Sequence, residues 1–274
     1  MEMKNKKFEE GTVIKGKDLQ GYTLGGVLRM KMPVTENQDQ YKVDESVELI
    51  VKKAKFQFYL IQDICNHLTG LVRIAIVEIP VDEDVYVDKM GFHADKVKIK
   101  EIMSLNDFST WKYLVERGAD ITASDNFPLR YAASFGNIEV IKYLAENGAD
   151  LTCRHVLNMA AQEGYLEVVK YLHRQGINVT AEDKFAVITA SYYGQLEIVK
   201  YLYEHGADIT AHDNFAVVMA AKNGYLEIVK YLHENGADIT VDHNIAYMWA
   251  IESKHKKVAN YLRKNGAGKN DLVD

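Results

Sequence analysis

Cysteine, proline and long apolar runs are scarce in this chain of 274 residues. Its two cysteines, Cys65 and Cys153, cannot build a disulfide framework, which indicates a reducing compartment. The longest apolar stretch, residues 71–79, is interrupted by Arg73 and Glu78 and is too short to cross a bilayer. The net charge of -6 provides no cationic excess for general binding to nucleic acid or a membrane surface. We therefore expect an intracellular protein with neither kind of partner.

Motifs for catalysis are also missing. The sequence contains no HExxH and no CxxC, and the glycine-rich residues 21–26 lack the spacing of a phosphate-binding loop, so they predict a turn between strands. His173 and His233 occupy the same place in a repeated phrase, but 60 residues apart they cannot share a metal ion. We expect no enzyme activity, no metal and no cofactor. An enzyme with its site in residues 1–103 is the less favoured alternative.

What the chain does contain is one phrase repeated at a nearly fixed step. The phrase reads WKYLVERGADIT from Trp111, IKYLAENGADLT from Ile141, VKYLHRQGINVT from Val169, VKYLYEHGADIT from Val199, VKYLHENGADIT from Val229 and ANYLRKNGAGKN from Ala259. The steps are 30, 28, 30, 30 and 30 residues. Such a period indicates a solenoid, in which stacked units bury apolar faces that no unit can bury alone.

Residues 213–233 show how one unit is built. An apolar segment with the small pair Ala220–Ala221 stops at Gly224, a residue type that often ends helices. Apolar residues then follow at helical spacing until the next stop at Gly236. Each unit is therefore predicted to be a helix, a short turn, a second helix and a loop. Small side chains on the first helix allow neighbouring units to approach closely.

The repeated unit resembles the ankyrin repeat. The similarity covers about residues 105–268 and is carried by paired small residues, by the inner glycines and by the Gly-Ala-Asp turns. The inner glycines are Gly136, Gly164, Gly194 and Gly224. The usual unit has 33 residues, so the resemblance implies shortened finger loops between the units here.

A second departure concerns the start of the first helix. The Thr-Pro-Leu-His of the family survives only as residues 127–130, Phe-Pro-Leu-Arg. We interpret the aromatic residues at this place as packing into it, with Asn126 or Asn214 capping the helix. These aromatic residues are Phe127, Phe185 and Phe215. The last unit has Lys254 for the inner glycine and a charged run over residues 253–257, which predicts a polar cap.

The predicted fold is mainly α, with an ankyrin-type helical solenoid after a small N-terminal α+β domain. The predicted divisions are a leader domain at 1–103, a half-unit at 104–120, full units at 121–150, 151–178, 179–208 and 209–238, a cap unit at 239–268, and a short tail at 269–274. Within the leader, residues 71–79, 85–87 and 96–99 read as strands and residues 58–68 as a helix.

The leader resembles the N-terminal domain of ankyrin proteins from giant DNA viruses of amoebae. The similar residues are the segment around Asp63–Ile64, then 76–80, 85–87 and 92–97. The resemblance implies a viral protein that acts on a host protein, with the host cytoplasm as its place and the virion as the alternative. It assigns no activity to the leader.

Residues that vary between units are the candidates for partner binding, because a scaffold repeats what packing requires. In ankyrin proteins the positions before the inner glycine, and the loop before the first helix, line the concave face. The residues that this places in a protein-binding site are Tyr192, Tyr193, Phe135, Lys222, Asn223, His212 and Lys184. Exposed tyrosines suit an anchor for a partner.

We therefore expect a monomeric, non-enzymatic scaffold that grips another protein, with a structural component of a virion as the alternative. Lysines also recur in register, each three residues after a glutamate. We interpret these rows as a solvated face of neutralising pairs in preference to a track for a polyanion.

Overall fold

The protein is described by a computed structural model. It describes residues 13–19, 24–27, 48–50, 56–60, 64–65, 73–88, 91–94, 96–179 and 184–268. The chain divides into two compact units, one of Met1–Pro128 with Glu146–Gly148, the other of Leu129–Ala145 with Ala149–Asp274. The division after residue 103 and the bounds of the repeat units stay predictions.

The first unit contains an eight-stranded sheet. Its strands are β1 (Val13–Lys15), β2 (Leu24–Val27), β3 (Glu48–Ile50), β4 (Phe56–Leu60), β5 (Arg73–Glu78), β6 (Asp84–Asp88), β7 (Gly91–Ala94) and β8 (Lys96–Ser104). The order across the sheet is β1-β6-β7-β4-β2-β5-β8-β3, and every neighbouring pair is antiparallel. The strands predicted at 71–79, 85–87 and 96–99 are confirmed in the described residues, and residues 71–72 lie outside them.

Strand β5 lies inside the sheet and is buried on both faces. Ile74 and Ala75, which point to opposite faces, are both fully buried. Val77 belongs to a core cluster with Val85 of β6 and Phe92 of β7. Burial on both faces explains why this strand reads as a continuous apolar run in the sequence.

Two sequence predictions in the sheet were wrong. Residues 56–60 form β4, paired with β2 and β7, where a helix over 58–68 was expected. Only Ile64 and Cys65 are described beyond it, as one short helical turn. Apolar residues at helical spacing misled the prediction because the strand pairing is non-local. Gly25 and Gly26 lie within β2, where their pairing with β4 and β5 replaces the expected turn; residues 21–23 lie outside the described residues.

Eleven helices follow in the described part of residues 104–268. They are α1 (Phe108–Glu116), α2 (Ala123–Ser134), α3 (Ile138–Glu146), α4 (Arg154–Glu163), α5 (Leu166–Arg174), α6 (Lys184–Tyr193), α7 (Leu196–Glu204), α8 (Ala211–Lys222), α9 (Leu226–Glu234), α10 (Val241–Glu252) and α11 (Lys256–Lys264). First helices contact first helices, α4 to α6 to α8 to α10, and second helices contact second helices, α5 to α7 to α9 to α11. The expected helix–turn–helix unit is confirmed.

The inner glycines are required by both conformation and space. Gly194 has a φ of 83°, in the left-handed region that disfavours residues with a Cβ. A Cβ on Gly194 would lie 2.5 Å from the ring of Tyr225, which precedes the second helix of the next unit. Gly136, Gly164 and Gly224 likewise have positive φ and lie against Tyr165, Gln195 and His255. The glycine thus sets how closely successive units stack.

The Gly-Ala-Asp phrase repeats because its aspartate organises the loop that follows. In the last full unit, one carboxylate oxygen of Asp238 accepts hydrogen bonds from the Thr240 amide at 2.8 Å and the Thr240 hydroxyl at 2.7 Å. The same pair of bonds joins Asp208 to Thr210 and Asp150 to Thr152. This is the turn that a short acidic side chain forms with its own backbone two residues on.

A left-handed turn replaces the finger loop. His212, Asp213 and Asn214 have φ of 52°, 56° and 60°, and the Asn214 amide donates to the Thr210 carbonyl at 2.9 Å. Residues 124–126 and 242–244 repeat this conformation. The 28-residue unit lacks it, and its helix α4 begins directly after Cys153. Between residues 104 and 268, the described segments contain no strand after β8, so the shortened fingers are confirmed.

The proposed packing of the aromatic residues at this turn was wrong for Phe185 and Phe215, whereas Phe127 is half-buried. Phe185 is 54% exposed and Phe215 is 38% exposed, so neither fills a buried site. Asn214 does not cap its helix, since its side-chain oxygen accepts the Asp238 amide of the following loop at 2.8 Å. The left-handed turn displaces the start of the helix, and the asparagine ties adjacent loops together.

The expected polar cap is only partly polar. Lys254 adopts the inner-glycine conformation, with a φ of 63°, and has no following unit to clash with in the described chain. Met248 and Ile251 are 54% and 52% exposed, whereas the equivalent Val218 and Ala221 are buried under α10's unit. In the preceding unit these positions are covered by the unit that stacks on it. On α10 the same positions are exposed in the described chain.

The helices of the described residues are too short and too polar to cross a bilayer.

Candidate functional site

Two adjacent tyrosines stand at the end of α6. Tyr192 and Tyr193 are 39% and 44% exposed, and their rings pack edge to face with centroids 4.8 Å apart. Aromatic rings in such an arrangement support each other's orientation. Both side chains therefore offer ordered apolar area to solvent, together with two hydroxyl groups.

The neighbouring helix α8 carries a cation at its C-terminal end. Lys222 is its last residue, at the position equivalent to Tyr192, and its ammonium lies 4.5 Å from the centroid of the Trp249 ring on α10. This contact holds the lysine over an aromatic face. Asn223 ends the helix, and its side-chain amide donates to the Met219 carbonyl at 2.9 Å.

These residues form one surface, which we call the first-helix surface: the exposed residues at the C-terminal ends of α4, α6, α8 and α10. Its exposed members are Glu163, Tyr192, Tyr193, Lys222 and Glu252, and the half-buried Asn223, directly after α8, is included with them. Sequence reasoning missed Trp249 and the exposed Met248, although the signal was present as two large apolar residues in the last first helix.

The other predicted residues lie apart from this surface. Phe135 is 44% exposed but belongs to a unit two steps earlier, where its ring lies 4.6 Å from that of Tyr131. Burial raises the pKa of Tyr131 to about 12, so this phenol stays neutral at physiological pH. His212 lies in the left-handed turn, with its ring 5.3 Å from Phe185. Lys184 begins α6, and its side chain is outside the described residues.

The second helices carry the lysine–glutamate rows. Lys170, Lys200 and Lys230 each pair with the glutamate three residues earlier at 2.8 Å. The ammonium of Lys142 lies 5.6 Å from the ring centroid of Tyr171. The three exposed pairs agree with a neutralised, solvated face, and each pair contributes little stability.

Side chains with potential chemistry are in structural roles. Among the described residues no group of three histidine, cysteine or acidic side chains could hold a metal ion. His173 and His233 each hydrogen-bond, through Nδ1, the tyrosine hydroxyl of the next second helix, Tyr201 at 2.8 Å and Tyr261 at 2.9 Å. Burial raises the pKa of the Cys65 thiol to about 12, which suppresses the reactive thiolate.

Comparison with known proteins agrees with this geometry. A family model for ankyrin repeats in three copies matches residues 152–213 and 212–272, and a model for many copies matches residues 99–145 and 129–173. An uncharacterized protein of Acanthamoeba polyphaga mimivirus is 29% identical over 82 residues, which is 28% of this chain. The match spans 59% of the length of that viral protein.

Ankyrin repeats generally mediate protein–protein interaction, and proteins built from them are typically non-enzymatic scaffolds. The matched residues run through α1–α11, where the inner glycines, the small pairs and the Gly-Ala-Asp turns have the roles described above. This chain belongs to the ankyrin repeat proteins.

Proposed function

We propose that this protein is a non-enzymatic scaffold that binds a partner protein on its first-helix surface, the concave side in ankyrin proteins. Tyr192 and Tyr193 form the anchor, and Lys222 and Asn223 supply polar contacts beside it. The observation that carries the proposal is a pair of exposed, mutually packed tyrosines at a position that the repeat does not constrain.

The physical chemistry of interfaces supports this choice. Tyrosine contributes a large contact area with few rotatable bonds, and interface hot spots are enriched in it. A partner that covers both rings removes apolar area from water and can accept or donate hydrogen bonds at both hydroxyls. Lys222, already held by Trp249, loses little side-chain freedom on binding.

The viral relative supports a partner in a host cell. The similarity to a mimivirus protein favours a viral protein that acts on a host factor, in the host cytoplasm. Phe135, His212 and Lys184 are peripheral in this proposal. Phe135 and His212 lie in other units, and Lys184 lies at the first residue of α6, at the opposite end from the tyrosines.

A quantitative pull-down from amoebal lysate tests the proposal. Wild-type protein, the Tyr192→Ala/Tyr193→Ala variant and the Phe215→Ala variant are immobilised at equal density, and bound proteins are quantified by mass spectrometry. Phe215 is a matched control, since it is a 38% exposed aromatic residue at the other end of a first helix. We expect a saturable partner that the control retains and the double variant loses by about tenfold or more. Equal capture by all three proteins would contradict the proposal.

A further inference from the structure

A cavity between two second helices is lined by cationic side chains. Lys170, His173 and Arg174 reach it from α5, and Tyr201 and His205 reach it from α7. Its volume is about 390 Å³, and it is open to solvent. We call it the His–Arg cavity. It lies on the second helices, away from the first-helix surface and its tyrosines.

Hydrogen bonds fix the rings that line the cavity. The Nδ1 of His205 lies 2.7 Å from the backbone carbonyl of Tyr201. Because a carbonyl only accepts, this nitrogen carries the proton, and the other ring nitrogen can take up a second one. The Nδ1 of His173 bonds the Tyr201 hydroxyl at 2.8 Å, and the two imidazole rings meet edge to face at 4.9 Å.

Arg174 adds donors in a fixed place. Its Nε donates to the Lys170 carbonyl at 3.2 Å, which uses one of the five N–H donors of the guanidinium. A guanidinium fork matches two oxygens of one anion. Lys170 itself is paired with Glu167 at 2.8 Å, so its charge is partly neutralised.

The repeat provides an internal comparison. The same histidine–tyrosine hydrogen bond recurs between His233 and Tyr261, at a closely similar distance of 2.9 Å. There Glu234 stands in the place of Arg174, and Asn265 in the place of His205. Three further units carry glutamate at the arginine position, as Glu116, Glu146 and Glu204, whereas the cap unit carries Lys264 there. The chain therefore departs from its own repeat at the two positions that make this cavity cationic.

The cations of the cavity are only partly neutralised, by Glu167, which pairs with Lys170 at 2.8 Å and also attracts Arg174. The lining contains one arginine, one lysine, two histidines and a tyrosine, and no carboxylate. Burial, and then the neighbouring His205, lower the pKa of His173. A bound anion would oppose that effect, since it favours the charged imidazolium.

We propose that the His–Arg cavity binds a phosphate group, either as inorganic phosphate or as a phosphomonoester on a partner. The arginine fork contacts two phosphate oxygens, and the imidazoles and the tyrosine hydroxyl surround the others. A tetrahedral dianion can use donors from both helices at once, which a single planar carboxylate cannot do to the same extent.

The NMR resonances of the histidine side chains, measured on the whole 274-residue chain, report binding directly. Inorganic phosphate is titrated at pH 6.5 and constant ionic strength into protein with labelled histidines, with acetate as the planar control anion. We expect saturable shifts of His173 and His205, without saturable shifts of His233, His243 or His255. Equal shifts with acetate, or no saturation up to about 50 mM phosphate, would overturn the proposal.

Variants taken from the repeat itself sharpen the test. Arg174→Glu, which installs the residue of four other units, is expected to weaken phosphate binding at least about tenfold, and His205→Asn about threefold. Both side chains are exposed, and unchanged melting of the variants checks that the fold is retained. The reverse change, Glu234→Arg with Asn265→His, is expected to give His233 a saturable shift. Undiminished binding by Arg174→Glu overturns the proposal.

A titration with a second ligand distinguishes inorganic phosphate from a phosphomonoester on a partner. A peptide with one phosphoserine is titrated beside its unphosphorylated form and inorganic phosphate. Binding of the phosphopeptide about tenfold tighter than phosphate, at the same two histidines, assigns the cavity to a phosphorylated partner. Equal affinity assigns it to the free ion.

Discussion

At the scale of single residues, stacking in this protein depends on glycines that serve two purposes. Gly194 needs a left-handed backbone and also leaves room for the ring of Tyr225. Gly236, at the end of the second helix of a later unit, has a left-handed φ of 101° but no atom within 4 Å of the place where a Cβ would lie. Substitutions at the two positions therefore separate the cost of the left-handed conformation from the cost of crowding by the ring.

We therefore predict unequal effects of alanine at these positions. Gly236→Ala should reduce the free energy of unfolding by about 1 kcal/mol, the cost of the left-handed conformation for a residue with a Cβ. Gly194→Ala should reduce it by about 3 kcal/mol, because the Tyr225 ring must also move. Urea unfolding of both variants provides the measurement. Equal losses would show that crowding by the ring is unimportant.

The aspartate of the repeated loop gives a residue-scale prediction on pH. Hydrogen bonds from the Thr152 hydroxyl and amide lower the pKa of Asp150 below its ordinary value of 3.8. A carboxyl group whose folded pKa is lowered stabilises the fold above its unfolded pKa, and this contribution is lost as the pH falls through the folded value.

Removal of the hydroxyl should raise that pKa. In the variant Thr152→Val, the pKa of Asp150 measured by NMR should move up towards 3.8, because the larger of the two causes is gone. Thr152→Ser keeps a hydroxyl and is expected to preserve the low value. A pKa that is unchanged in Thr152→Val would exclude the hydroxyl as its cause.

At the scale of elements, the sequence predicts the helices far better than the sheet. Helices of one unit form between residues close in the chain, so the positions of Gly224 and Gly236 mark where they end. Strand β2 pairs with β4 and β5, which lie 30 to 50 residues further on, and no local pattern encodes that order. The apolar residues in 58–68 consequently read as a helix although 56–60 are a strand.

The turn before each first helix shows a different limit of prediction. The 30-residue period correctly indicates a shortened finger, but it does not specify three successive left-handed residues. That conformation exposes Phe215 and directs Asn214 to the neighbouring loop. At the candidate site, the variable positions identify the exposed tyrosines, whereas the Lys222–Trp249 contact depends on the stacking of α8 on α10.

The end of the stack gives a prediction for the last element. Met248 is 54% exposed, whereas Val218, at the same position one unit earlier, is 1% exposed. Met248→Ser should therefore change the free energy of unfolding by less than about 0.5 kcal/mol, while Val218→Ser should reduce it by about 3 kcal/mol. Thermal and urea unfolding of the two variants test this. A large loss in Met248→Ser would mean that this face is covered.

At the scale of the whole molecule, the chain combines a regular stack with irregular surface residues. The repeated phrases KYL and GAD are explained by packing and by loop hydrogen bonds. Residues that break the repeat gather in two places, the first-helix surface around Tyr192 and the His–Arg cavity around Arg174. The sequence signal for the cavity was Arg174 at a position that holds glutamate in four other units and lysine in the cap unit. This signal gains meaning only when α5 and α7 are adjacent.

Site-specific photo-crosslinking tests the partner-binding claim most directly. A benzophenone amino acid is placed at position 163, on the first-helix surface beside α6, or at position 227, on the exposed side of α9, so that both tyrosines stay intact. In amoebal lysate, we predict one dominant protein adduct from position 163 that excess unlabelled protein suppresses, and none from position 227. An adduct from position 227 alone, or identical adducts from both positions, would contradict binding on the first-helix surface.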